Sequence, residues 1–325
     1  MSIPEYFDLD GGDRMPRIGF GTWQAPPDVL EKSVDEALAA GYRHFDSARA
    51  YENESALGSA LNRWIGGDPE KRKELFVVTK LPPGGNHPEL VEEYFSSSLR
   101  DLGLDYIDLY LLHVPFGFEH IPGDLHPKNP DGSMKFDYKT DLLGVWKAIL
   151  KLKESGRVRH VGVSNMNEEQ LNRLCSIGKP ACLQIEVHVL CQQKSMIALA
   201  NKLGIPVVAY SPLGSKALAD ALSAKNGRTY PNLLELSEVQ QIAKTHSRTP
   251  AQILLRFLLQ HGVAVIPKST NPTRIKQNIS LWDFELSDKE MQVLTALDRE
   301  EDGRICDFTF FVGIEKHPEN PFKKQ

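Results

Sequence analysis

The sequence contains no block of basic residues, no paired cysteines and no apolar run long enough to span a membrane. Each absence narrows the function. The 38 Lys and Arg are scattered among 43 Asp and Glu, and the formal net charge is -5. A slightly acidic chain without a basic stripe is a poor partner for nucleic acid or an anionic membrane, so any anion site must be local. The four cysteines, Cys175, Cys182, Cys191 and Cys306, form no CxxC pair and are few for 325 residues. That count fits a reducing compartment better than a disulfide framework. The opening segment MSIPEYFDLDGG carries no apolar signal region. Asn53-Glu54-Ser55 and Asn278-Ile279-Ser280 match the glycosylation triplet, but without a signal both are read as chance. The expectation is a soluble, cytoplasmic protein with no nucleic-acid or membrane partner.

What is present is a period. Apolar, β-branched runs recur at 18–23, 44–48, 75–80, 107–113, 158–165, 182–187, 206–210 and 263–269. Helical patterns such as 29–41, 88–103 and 195–204 lie between them, several ending on glycine, a usual C-cap. Near-continuous apolar strands alternating with helices imply a parallel sheet covered on both faces. Eight such units predict an α/β fold, a (β/α)8 TIM barrel, in one domain over residues 1–325. A doubly wound open sheet would want a glycine-rich turn after its first strand, and GFGTW supplies only a GxG. Two long segments after strands, 114–139 and 211–232, read as loops over the C-terminal face of the barrel. The tail from about Glu301 is long enough to fold over that face as well.

Barrel chemistry gathers at the C-terminal ends of the strands. Those ends deliver Trp23, Asp46, Lys80, His113, Ser164 with Asn165, Gln184 with Glu186, Tyr210 and Lys268, and Tyr51 follows in the loop after the second strand. Singly, each has an ordinary explanation: Asp46 as a turn residue, Lys80 as a solvated rim charge, His113 as a structural hydrogen bonder, Tyr51 as a surface aromatic. Together they have chemistry. A phenol titrates near 10, too high for acid–base work at neutral pH. A neighbouring ammonium is expected to lower that value by about 1–3 units, and a buried Lys80 would need a carboxylate such as Asp46. The result would be a proton donor for a carbonyl oxygen. A second cluster is IPKSTNPTRIKQN, 266–278, where Asn271 suits an N-cap and Pro272 the first helical position. Lys268, Ser269, Thr270 and Arg274 would surround that helix N-terminus, a site suited to phosphate. A metal site built on His44 and Asp46, or on Glu186 and His188, lacks the further histidines that would complete it.

With these residues assembled, the chain resembles the aldo-keto reductases over nearly its whole length. GYRHFDSARAYENE, LGLDYIDLYLLHVP and IPKSTNPTRIKQN are similar to three family signatures in the family's order. The resemblance implies NADP(H)-dependent interconversion of carbonyl compounds and alcohols by a monomer acting on small molecules. It implies Tyr51 as proton donor, Lys80 and Asp46 as its tuning pair, and His113 as the group that orients the carbonyl. It places Thr22, Trp23, Asp46, Ser164, Asn165, Gln184 and Tyr210 about the nicotinamide and Ser211, Leu213 and Ser215 along the pyrophosphate. Lys268, Ser269, Thr270 and Arg274 would hold the 2′-phosphate, and Gln277 and Asn278 the adenine. Trp23, Tyr51, His113 and Val114 would meet the substrate. Three positions depart from the common pattern: Val114 and Pro82 stand where tryptophan is usual, and Ala217 where an acid often latches a loop. The expectation is a pocket open on two sides, lined by Trp23, Phe116, Phe118, Phe308, Phe310 and Phe311, that favours bulky apolar or steroid-like carbonyls.

Overall fold

A computed structural model describes residues 3–323; positions 1, 2, 324 and 325 of the expected domain lie outside the described residues. The chain opens with an antiparallel hairpin of β1 (Tyr6–Asp8) and β2 (Arg14–Pro16). Eight parallel strands follow: β3 (Gly19–Gly21), β4 (His44–Asp46), β5 (Phe76–Leu81), β6 (Ile107–Leu112), β9 (Val158–Ser164), β10 (Leu183–Glu186), β11 (Val207–Tyr210) and β12 (Ala264–Val265). They are hydrogen bonded in that order, and a parallel bridge between Ile18 and Val265 closes the last strand onto the first. The fold is the expected (β/α)8 barrel, with every expected strand in place.

Alternation along the strands determines which side chains reach the rim. Val77 and Leu81 of β5 face the helices, while Phe76 and Val78 join Leu109, Leu111, Cys182, Val208, Ala264 and Ile266 in the barrel interior. Side chains two residues apart share a face. Lys80 therefore stands directly above Val78, His113 above Leu111, Gln184 above Cys182, Tyr210 above Val208 and Lys268 above Ile266. In β4, Phe45 packs outward, and His44, edge-on to Phe76 at 5.3 Å, leaves Asp46 above it on the inner face. One set of apolar layers thus carries the polar rim. The GxG of β3 proves to be a packing feature: a Cβ on Gly21 would lie 2.7 Å from the Ile266 carbonyl oxygen at the closing seam. The opposite mouth is plugged by the hairpin, whose Met15, with Phe7 and Leu9, packs beneath the inner cluster.

Around the barrel run α1 (Pro27–Ala39), α2 (Glu54–Ile65), α3 (Pro69–Glu74), α4 (Val91–Leu102), α5 (Leu142–Glu154), α6 (Glu168–Cys175) and α7 (Lys194–Lys202). α8 (Lys216–Asn226), α9 (Ser237–His246), α10 (Pro250–Gln260), α11 (Pro272–Ile279) and α12 (Asp288–Thr295) complete the shell. Segment 211–232 is therefore not the plain loop expected from sequence, because α8 occupies half of it. Segment 114–139 holds a small hairpin, β7 (Gly117–Phe118) with β8 (Phe136–Asp137). The tail does lie over the rim: Phe308 shares one aromatic cluster with Val114 and Phe116 of that segment. No helix among the described residues is long and apolar enough to cross a membrane.

Candidate active site

At the rim, Lys80 is fully buried and its ammonium donates to Asp46 Oδ1 at 2.6 Å, to the Ser47 carbonyl at 2.6 Å and to the Tyr51 hydroxyl at 3.4 Å. The other Asp46 oxygen accepts from Gln184 Nε2 at 2.7 Å. The Tyr51 and His113 rings meet edge to face at 5.7 Å. Asp46, Tyr51, Lys80 and His113, drawn from four places in the sequence, therefore form one group. The short 3-10 turn Arg49–Tyr51 carries the tyrosine. That turn is anchored by Glu54, which is buried and accepts from Thr79, Ser98 and Arg49. Asn53 ties it to the neighbouring loop by donating to the carbonyls of Thr22 and Ala25. Sequence reasoning did not single out Asn53 and Glu54 for this role, although both sit inside the stretch that carried the resemblance.

The electrostatics differ from expectation in one respect. Burial raises the Tyr51 phenol and outweighs the nearby Lys80 ammonium, so its net shift is upward. The predicted lowering of this phenol is not what the pocket alone produces. Burial also works against the Lys80 charge, but Asp46 and Tyr51 more than compensate, and the ammonium is stabilised. The His113 imidazole is pushed well below its usual value by burial and by Lys80. The site thus holds a protonated phenol, a fixed ammonium and a neutral imidazole whose Nδ1 is buried without a hydrogen-bond partner.

The residues expected to hold a dinucleotide lie along one side of this group. Thr22 is fully buried and its hydroxyl donates to the Asp46 carbonyl, while Trp23 beside it is half-buried. Ser164, Asn165 and Gln184 are buried. Asn165 donates to the His113 carbonyl at 2.9 Å and accepts from the Tyr210 hydroxyl at 2.6 Å, which links β6, β9 and β11 across the rim. Asn165, Ser211 and Ser215 all have left-handed backbone, at φ 60°, 49° and 36°. Such strain, about 1–3 kcal/mol each, concentrates where surrounding structure holds a functional site. Leu213 is half-buried near them. On α11, Asn271 caps the helix by accepting from the Arg274 amide at 3.0 Å, and Pro272 takes the first turn, as read from sequence. Lys268 and Arg274 are exposed and make no salt bridge with any described residue. Partial burial of its stem and the nearby Arg274 charge both lower the Lys268 ammonium. Ser269 and Asn278 are buried beside them, and Thr270 and Gln277 are half-buried. This donor set fits a phosphorylated dinucleotide.

The open pocket expected at Val114 is not found. Val114 is 3% exposed, and Phe116, Phe118 and Phe308 are buried with it, packed against one another instead of lining a cleft. Phe116 and Phe308 sit edge to face at 5.2 Å. Pro82 is buried too. Only Phe310 and Phe311 of the expected lining, with Trp23, keep partial exposure. Aromatics that the fold brings together pack on one another as readily as on a ligand, and apolarity alone does not tell the two apart. Among the described residues no three His, Cys, Asp or Glu side chains converge as a metal site.

A model of the Aldo/keto reductase family matches residues 17–299. The Gallus gallus protein named aldo-keto reductase family 1 member A1 is 43% identical over 299 residues, covering 91% of this chain and 89% of that one. Its Homo sapiens namesake is 43% identical over 295 residues, covering 90% and 88%. The structure of an aldose reductase from Schistosoma japonicum superposes with a TM-score of 0.88 at 36% identity, over 99% of this chain and all of that one. On these matches and this rim, the chain belongs to the aldo/keto reductase family, NADP(H)-dependent oxidoreductases that act on carbonyl groups.

Proposed function

We propose that this chain reduces aldehydes and ketones to alcohols with Tyr51 as the proton donor. The observation that carries this reading is the single ammonium of Lys80 held between Asp46 and Tyr51, with no solvent exposure of its own. NADPH, when bound, supplies the hydride. Lys268 and Arg274 would hold its 2′-phosphate beside Ser269 and Thr270, with Gln277 and Asn278 at the adenine. Ser211, Leu213 and Ser215 would follow the pyrophosphate. Ser164, Asn165 and Gln184, with Thr22, Trp23 and Tyr210, would hold the nicotinamide end.

The roles within the group follow from charge. A carbonyl oxygen gains negative charge as it is reduced, and donors fixed in advance at that point stabilise it. Tyr51 holds its proton at neutral pH because burial keeps the phenol protonated. The Lys80 ammonium then offsets the phenolate as the proton leaves Oη, and Asp46 keeps the ammonium in place. Neutral His113 donates a second hydrogen bond, which orients the carbonyl without competing as an acid. For substrate, the partly exposed Trp23, Phe310 and Phe311 favour apolar carbonyls over aldoses. A monomer, working as one domain in the cytoplasm, suffices for all of these roles. The test is Tyr51→Phe, which removes one hydroxyl and little bulk. Reduction should fall about 10²–10⁴-fold, the usual worth of general acid catalysis, with NADPH affinity within twofold of wild type. Near-normal turnover would refute the assignment.

A further inference from the structure

The end of β10 carries a carboxylate that the reaction does not use. Glu186 has no solvent exposure, and both of its oxygens are taken by the C-terminal tail. Oε1 accepts from the Ile305 amide at 3.0 Å and Oε2 from the Cys306 amide at 2.8 Å. His188, equally buried, stands at 3.2 Å from Oε1. The Leu190 amide donates to His188 Nδ1, which leaves the Nε2 proton to point at Glu186. The neighbouring tail is fitted as closely. A Cβ on Gly303 would fall 1.7 Å from the Leu190 carbonyl oxygen. Arg304 is buried over the Phe322 ring at 4.1 Å and held by both oxygens of Glu301. Beyond the clasp, Cys306 packs with Phe308 against the cluster that holds Val114, the residue after His113. Phe308, in left-handed backbone at φ 62°, closes onto Phe116.

We propose that Glu186 is a positioning residue that fixes the tail as one wall of the substrate pocket and so sets the size of carbonyl the site accepts. This rests on the functional reading above. Two consecutive amides bound to one carboxylate leave residues 305 and 306 a single register, and that register determines where Cys306 and Phe308 stand in the cluster that holds Val114, next to His113. A glutamine has the same shape but only one acceptor oxygen, and its amide would oppose a backbone N–H. A tail released from this clasp recedes, admitting bulky carbonyls and losing its contact with small ones.

The experiment compares Glu186→Gln with wild type on a small aldehyde, glyceraldehyde, and a bulky apolar ketone, benzophenone, alongside NADPH titration and limited trypsin cleavage at Lys316. The ratio of kcat/KM for benzophenone over glyceraldehyde should rise at least about tenfold, the worth of one charge-assisted hydrogen bond. The change should be mainly in KM, NADPH affinity should stay within twofold, and cleavage at Lys316 should be faster. A purely structural role would lower both substrates together and leave the ratio fixed, which would overturn the proposal. If Glu186→Gln does not fold, Glu186→Asp carries the same comparison, since it keeps the charge but is too short to reach both amides. Wild-type protein that reduces neither carbonyl would defeat the functional reading. The cleavage rates would then decide the clasp on their own: faster cutting in the variant supports it and equal cutting overturns it.

Discussion

Replacing Lys80 with methionine tests the buried pair directly. The substitution keeps length and apolar bulk but deletes the ammonium that donates to Asp46, Ser47 and Tyr51. Asp46, 2% exposed, then keeps only the neutral amide of Gln184 against its carboxylate. Breaking a buried ion pair from one side costs about 3–5 kcal/mol, a large share of the roughly 5–15 kcal/mol that keeps a protein folded. Urea unfolding of the cofactor-free protein, followed by tryptophan fluorescence, should show this loss as a lower midpoint. The double variant Lys80→Met/Asp46→Asn removes the stranded charge and should recover at least about half of it. Reductase activity should not recover with stability, because the phenolate that forms on Tyr51 would still lack its counter-charge. A cost for Lys80→Met below about 1 kcal/mol, the scale of an exposed ion pair, would refute the role of the buried pair. A double variant no more stable than the single one would refute it equally.

Two further outcomes follow from the same site. Arg274→Ala should weaken NADPH binding at least about tenfold by fluorescence titration while changing NADH binding little, since one charge-assisted bond contributes about 1.5–3 kcal/mol; equal loss for both cofactors would place the phosphate elsewhere. Burial holds the Tyr51 phenol above its ordinary 10.0 and the His113 imidazole well below 6.5, so both stay in their working forms across neutrality. The kcat/KM for reduction should therefore be level from about pH 7 to 9 and fall only as Tyr51 loses its proton on the alkaline side; an inflection near neutrality would contradict the assignment.

The barrel was legible because its strands are buried on both faces. FVVTKL and IDLYLL read as near-continuous apolar runs, and every residue of both strands is buried. The rim was legible for a related reason: a lysine or aspartate ending such a run has no apolar explanation. The β1–β2 hairpin was not visible, because three residues such as YFD or RMP are too short to show a period. α8 was hidden by its setting, since KALADALSAKN sits between SPLGS and GRTYPN and was absorbed into their turn signals. What the sequence could not disclose was partnership. Phe116, Phe118 and Phe308 are apolar whether they face a ligand or one another. Burial likewise decided the sign of the Tyr51 shift, a quantity that no spacing of residues reports.

The seam between Ile18 and Val265 also has a consequence for synthesis. Arg17 offers its carbonyl to the Val265 amide at 2.8 Å, yet that partner is made about three quarters of the chain later. At about 5–20 residues per second, β3 waits on the order of tens of seconds with one edge unpaired. Throughout that interval the growing sheet has two open edges, the first strand and the latest, and open edges recruit other chains. A ribosome that stalls before residue 265 thus releases a sticky sheet, so the cell's exposure to misassembly depends on how quickly the last strand emerges.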